Sequence, residues 1–250
     1  MLCCIDIGNT NTDLYLSLNG IIINKFCFKT KQNSFYNLIK KQIKSFILLN
    51  NVDDVIISSV VPSLDQYYHD LIVDLINIEP MFIKYNSKLN ETITFYHPET
   101  CGADLICSTV AAIEKYKAPL IVVDMGTATK FLLVNEKNEF FGASIAPGLK
   151  GSLGTLFETA EMLKIFRLEK ADNVIGKDTV SCIESGALYG HASMIDGMIE
   201  RFKKELNNND IKVILTGGLS EKVHALLNTN VIHDANLLPE GMIIIHELNK

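Results

Sequence analysis

The sequence predicts an α/β protein of two similar halves, and three observations predict it. First, "CCIDIGNTNTDLYL" (Cys3 to Leu16) and "LIVVDMGTATKFLLV" (Leu120 to Val134) share one plan: apolar strand, aspartate, glycine-bearing polar turn, apolar strand. Aligned, they put Asp6 on Asp124, Gly8 on Gly126 and Thr10 on Ala128, about half a chain apart. Second, a third strand follows each hairpin, "IIINKFCFKT" (Ile21 to Thr30) and "EFFGASIAPG" (Glu139 to Gly148), so each half opens as a β-meander. Third, helices and strands alternate behind each meander, the pattern of a layered α/β fold.

In the first half, Ser34 to Leu49 has helical spacing, with Phe35, Leu38, Ile39, Ile43 and Phe46 on one face. "DVIISSVVP" reads as a short buried strand running into a loop, Ser63 to Ile76 is helical, and another helix starts about Asp104. In the second half, "TVSCIESGALYGHASMIDGMIERFKKEL" is a long helical region, "VILTGG" a buried strand and "SEKVHALLN" a short helix. No linker-like or low-complexity tract divides the halves; the boundary falls near Lys115 to Pro119, giving 1–117 and 118–250. Two such halves imply a cleft with both hairpins facing into it.

At 250 residues and 48% hydrophobic content the chain has enough apolar material for a real core. Its net charge of −6 and scattered basic residues exclude a footprint for nucleic acid or an anionic membrane, so a small-molecule partner is expected. No apolar run approaches the ~18 residues of a membrane span, and the start lacks a signal-like segment, which predicts a cytoplasmic protein. The six cysteines, Cys3, Cys4, Cys27, Cys101, Cys107 and Cys182, form no C-x-x-C pair and read as reduced core thiols. The six histidines are dispersed, without a nucleophilic triad pattern, and read as structural or exposed.

Backbone N–H groups in a tight glycine-containing turn form a concave donor cluster suited to phosphate, to which Asn9, Thr10, Asn11 and Thr12 add polar side chains. Asp6 and Asp124, each at a strand end, are placed to hold a cation against those phosphates. Ordinary hairpin chemistry favours the same residues in either stretch alone; the repetition favours phosphate. Asp104 opens an amphipathic helix, where it either caps the first turn or acts as a general base on a substrate hydroxyl; position does not decide. Gly186, Gly190 and Gly197 interrupt the long helix at ~1 kcal/mol each, a cost that close helix packing across a dimer interface would offset. "LTGG" reads as a strand-to-helix turn fit to lie against an adenosine ring, although Gly-Gly is also a routine loop signal.

In order and spacing, "DIGNTNT", "ISSVVP", "GAD", "DMGTAT", "GASIAPGLKGSL", "IGKDT", "SGALYGHASMIDGMI" and "LTGG" resemble type III pantothenate kinases over nearly the whole chain. These belong to the acetate and sugar kinase, heat-shock ATPase and actin superfamily. The resemblance implies an α/β fold of two ribonuclease H-like halves, each with a mixed sheet led by a β-meander, with an ATP cleft between them. It also implies a homodimer that phosphorylates pantothenate with ATP and Mg²⁺, the first step to coenzyme A. By motif, Asp6, Ile7, Gly8, Asn9, Thr10, Asn11, Thr12 and Asp13 would form the first phosphate loop, with Asp6 holding Mg²⁺ through water. Gly126 and Thr127 would contact ATP from the second hairpin, and Asp124 would hold a monovalent cation, K⁺ or NH₄⁺. Asp104 would take the proton of the pantothenate hydroxyl. Gly102, Ala103, Asp104, Leu105 and Thr179 would line the pantothenate pocket, with Phe95 where the family usually has tyrosine.

Two departures stand out. The family usually carries arginine after the aspartate of the substrate loop, where this chain has Leu105, and losing a charge-assisted hydrogen bond costs ~1.5–3 kcal/mol of binding. The second hairpin usually ends Thr-Ala-Thr-Thr, whereas here Lys130 follows Thr127, Ala128 and Thr129. A cation is missing from one loop and present in another. Lys130 either reaches the pantothenate carboxylate, replaces the monovalent ion beside Asp124, or points to solvent; strand alternation, which puts 124 and 130 on one face, favours the second.

Overall fold

The computed structural model of the chain describes residues 1–30, 35–159, 168 and 170–250 and divides into two compact units, Met1–Lys115 with Asn236–Lys250, and Tyr116–Ala235. The first stretch supplies β1 (Leu2–Ile7), β2 (Asn11–Leu18), β3 (Ile21–Lys29), α1 (Phe35–Leu49), β4 (Asp54–Ser59), α2 (Pro62–Ile76), β5 (Met81–Phe82), β6 (Thr92–Ile93) and α3 (Ala103–Tyr116). The second unit supplies β7 (Leu120–Met125), β8 (Ala128–Val134), β9 (Glu139–Pro147), α4 (Leu149–Thr159), α5 (Thr179–Glu205), β10 (Lys212–Thr216), α6 (Ser220–His224) and β11 (Ile232–His233). The last helix, α7 (Leu237–Leu248), belongs to the first unit. The sequence division at 117/118 had grouped it with the second half. The expected start of α1 at Ser34 lies outside the described residues.

In the first unit the strands run β3-β2-β1-β4-β5, antiparallel through the meander and parallel from β1 onward. Strand alternation sends Cys3, Ile5 and Ile7 to one face, where Ile39, Ile43 and Ile47 of α1 and Leu64, Tyr68 and Leu71 of α2 cover them. Cys4 goes to the other face with Tyr15 and Ile56, beneath Ile106, Cys107 and Val110 of α3 and Met242 and Ile245 of α7. Each large aliphatic side chain so buried contributes ~1.5–3 kcal/mol. The second unit repeats the order as β9-β8-β7-β10-β11, again antiparallel and then parallel. One face of that sheet, Ile121, Val123, Met125, Phe131 and Leu215, packs under Leu188, Ala192, Ile195 and Ile199 of α5.

The repeated meander and the mixed sheets are as the sequence predicts. The cysteine reading holds for Cys3, Cys4 and Cys107, which are buried, and is corrected at Cys27 and Cys182, which are exposed, and at Cys101, which is half-buried. Those three flank polar or surface segments whose neighbours do not close over them. Among the described residues no helix is long and apolar enough to cross a membrane.

Candidate active site

The first hairpin is built for a polar tip on a rigid base. Gly8 N–H donates to the Asn11 carbonyl at 3.0 Å and closes the turn. Thr30, fully buried just past β3, braces it from behind: its N–H donates to Thr10 O at 3.0 Å and its hydroxyl to Gly8 O at 2.6 Å. Thr12 is also buried, its Oγ1 3.1 Å from that of Thr30, and Ile7 lies in the core. These two sequence-predicted loop residues therefore brace the turn with their side chains, whereas Asn9, Thr10 and Asn11 are exposed at the tip. Asp13 pairs with Lys25 at 3.1 Å, across the neighbouring strand.

Asp6 is half-buried at the end of β1 on the α3 face of the sheet. Parallel register sets it beside Ser58 of β4, whose hydroxyl donates to Asp6 Oδ1 at 2.9 Å. Ser58 stands in the "ISSVVP" motif, where residue type alone assigns it no role. The signal that finds it is register: Asp6 and Ser58 are opposite one another only once β1 and β4 pair.

Asp104 sits in the first turn of α3, half-buried, with its Oδ1 accepting from the Leu105 N–H at 2.9 Å. Gly102 makes room for that carboxylate: a Cβ there would lie 2.5 Å from Asp104 Oδ1 and 3.4 Å from Val60. Beneath both carboxylates is the fully buried Cys107, whose thiol is raised well above its usual pKa, first by burial and then by the negative charges of Asp6 and Asp104. Asp6 and Asp104 thus converge on one point of the first unit.

Leu105, at the position of the missing arginine, is 8% exposed. Next to this loop is a cavity of about 510 Å³, bordered by Ser59 and Val60 at the end of β4, Phe82 to Tyr85 at the end of β5, and Cys101 to Ala103 at the start of α3. It opens at the carboxyl ends of parallel strands, where α/β sheets bind ligands. Phe95 is half-buried in the first unit, whereas Thr179 is exposed in the second, opening α5 behind an Asp178 cap.

In the second unit, Asp124 and Lys130 are direct cross-strand partners, and Lys130 Nζ lies 2.7 Å from Asp124 Oδ2, with side-chain exposures of 14% and 10%. The "LTGG" turn covers the other oxygen. Gly217 has φ +95°, and a Cβ there would come within 2.6 Å of Asp124 Oδ1, so glycine is required on both counts. Gly126 N–H donates to Ala128 O at 3.0 Å, leaving Thr127 exposed at the tip. Below it, Thr129 Oγ1 and His191 Nε2 are buried 2.8 Å apart, and burial holds the imidazole below its usual pKa, in the neutral form. This pair ties the second hairpin to α5, a link that residue types alone did not reveal. Among the described residues no three His, Cys, Asp or Glu side chains cluster as a ready metal cage.

A family profile described as type III pantothenate kinase matches residues 2–201. A relative of that name from Desulforapulum autotrophicum is 37% identical over 254 residues, covering 98% of this chain and 96% of the relative. Among solved structures, a Baf family transcriptional activator from Campylobacter jejuni has a TM-score of 0.61 at 18% identity and covers 99% of this chain and 98% of its own. Component A of (R)-2-hydroxyglutaryl-CoA dehydratase from Acidaminococcus fermentans has a TM-score of 0.58 at 13% identity and covers 100% and 99%. At these identities the two structures speak to the fold alone.

Proposed function

The chain belongs to the type III pantothenate kinase family, and on that premise we propose which of its residues carry the reaction. The reaction is ATP-dependent phosphorylation of the primary hydroxyl of pantothenate, the opening step of coenzyme A biosynthesis. The proton of that hydroxyl passes to Asp104. The oxygen bonds to the γ-phosphorus, the bond from that phosphorus to the bridging oxygen breaks, and ADP leaves.

The observation that supports this assignment is that Asp6, held by Ser58 at the end of β1, and Asp104, in the first turn of α3, both act electrostatically on the buried Cys107 of the same helix. Asp6 fits a hydrated Mg²⁺, since this hard cation takes carboxylate oxygen while keeping several waters, and Ser58 holds the carboxylate in place at 2.9 Å. When bound, the ion neutralises charge on the phosphates. Gly8 to Asn11 and Gly126 with Thr127 supply polar contacts to ATP, each from its own hairpin. Asp104→Asn should lower kcat by ~10²–10⁴-fold, the range for a lost general base, with nucleotide affinity unchanged. Coupled ADP release, with and without pantothenate, measures the first and titration of a fluorescent nucleotide the second. A kcat within threefold of the parent would remove Asp104 from the role of base.

The residues do not fit a monovalent cation at Asp124. Its Oδ2 already meets the Lys130 ammonium at 2.7 Å, and Oδ1 lies under the Gly217 turn. Lys130 therefore takes the place that the family resemblance gives to K⁺ or NH₄⁺. Replacing K⁺ by choline should leave parent turnover unchanged, and Lys130→Thr should lose activity that K⁺ or NH₄⁺ restores. Strict K⁺ dependence of the parent would reject this substitution of roles.

A homodimer is supported by the open face of α5. Among the described residues nothing lies within 4 Å of a Cβ built on Gly186 or Gly190, one turn apart, and Ile175 and Val180 are exposed apolar side chains. A second copy seated there would offset what those helix glycines cost. Sedimentation of the parent and of Gly190→Glu tests it, the variant being expected to shift toward monomer.

A further inference from the structure

With Leu105 buried and Lys130 held by Asp124, neither offers a cation to an anionic acceptor. Other lysines of the first unit are occupied as well: Lys25 lies 3.1 Å from Asp13, and Lys115 lies 2.5 Å from Glu240. The cavity beside the substrate loop supplies an alternative. Its lining contains one lysine, Lys84, together with Gly102 and Ala103.

We propose that Lys84 is the specificity-determining residue that receives the carboxylate of the acceptor, while the hydroxyl end lies at Asp104. This rests on the pantothenate kinase reading. Pantothenate carries its primary hydroxyl and its carboxylate at opposite ends, so the two groups need recognition at separated points. The wall formed by Gly102 is bordered by Asp104 Oδ1 and by Val60, which places the base at the edge of the cavity whose lining includes Lys84.

The root of Lys84 is fixed although its side chain is exposed. Ile83 N–H donates to Ile57 O at 2.9 Å, joining the preceding residue to β4. Lys84 N–H donates to Ser87 Oγ at 3.1 Å, and Ser87 N–H donates back to Lys84 O at 3.0 Å. No carboxylate among the described residues pairs with the ammonium. The cavity's two acids are engaged elsewhere: Asp65 Oδ1 accepts from the Ser59 hydroxyl at 2.5 Å, and Glu99 lies 3.3 Å from His97 Nδ1. An exposed ammonium on an anchored turn, facing a cavity whose acids have partners, is a receptor for an anionic group.

The test compares pantothenate with pantothenyl alcohol, which keeps the reacting hydroxyl and lacks the carboxylate. Lys84→Gln should raise KM for pantothenate roughly tenfold with kcat within twofold, as expected for one solvent-screened charge-assisted contact, and leave KM for the alcohol unchanged. Lys84→Arg should restore the parent value. Added salt should raise KM for pantothenate in the parent more than in Lys84→Gln. Equal KM changes for both acceptors, or none for either, would overturn the proposal while leaving the kinase reading intact. Absence of pantothenate-dependent ADP release in the parent would instead remove the functional reading and this proposal with it.

Discussion

Glu91 is a carboxylic acid at 8% exposure with one hydrogen bond, to the Thr109 hydroxyl at 2.8 Å, and its Oε2 is buried without a partner among the described residues. A carboxylate in that position lacks solvation, so burial pushes its pKa up to about 8 despite the Thr109 bond. Burial first, and then the charges of Glu91 and Asp104, raise the half-buried Cys101 thiol to about 12. Between the ordinary value of 4.5 and about 8 the folded state holds a proton that the unfolded state has released. Stability therefore falls as pH rises through this window, by at most about 1.4 kcal/mol per pH unit. Urea unfolding at pH 5, 6.5 and 8 should show that decline, and Glu91→Gln, which cannot ionise, should flatten it. A variant with the parent's slope would mean that Glu91 is ionised in the fold.

At the scale of elements, α3 and α7 approach so closely that a Cβ on Gly241 would lie 1.8 Å from the Cys107 carbonyl oxygen. The obstacle is backbone, so a side chain there has to separate the helices and open the core that holds Ile106, Val110, Met242 and Ile245. Gly241→Ala should cost at least about 3 kcal/mol, the upper end for overpacking, read as a shifted urea midpoint. Because α3 carries Asp104, kcat should fall too. An alanine variant with parental stability would show that the helices can part without loss. The same contact marks where sequence reading succeeds and stops. The meanders were legible because "DIGNTNT" and "DMGTAT" carry local turn chemistry between apolar strands; Asp6 was legible because it stands beside such a turn, and Asp104 only through the family resemblance of "GAD". The partnership of α7 with α3, the Ser58 brace on Asp6 and the position of Lys84 depend on pairings between distant segments, 52 residues apart for Asp6 and Ser58. Periodicity carries no information about which face of which sheet a helix will cover.

For the molecule as a whole, the first unit is discontinuous: the chain leaves it after α3 and returns as α7. The return is specified by contacts as well as by apolar burial. His246 Nε2 lies 2.7 Å from Asp54 Oδ2 at the start of β4, across 192 residues of sequence. Asn249 exchanges two hydrogen bonds with the Lys88 backbone, both 3.0 Å. At the junction, Lys115 Nζ meets Glu240 Oε2 at 2.5 Å, so the last turn of α3 and the first turn of α7 are neighbours. A segment ending at Lys115 would leave Cys4 and Ile56 covered by α3 alone, and the part of the sheet and of α3 that meets Met242 and Ile245 would be an exposed apolar face. Joining Lys115 to Asn236 through a short glycine-serine linker restores that helix at small loop-closure cost. The joined form, 1–115 with 236–250, should unfold cooperatively in urea, whereas 1–115 alone should bind a hydrophobic dye and lack a sharp transition. If 1–115 alone unfolded as cooperatively as the joined form, the first sheet would be complete without α7, and the rigid base assigned to Asp6 and Asp104 would not depend on the chain's return.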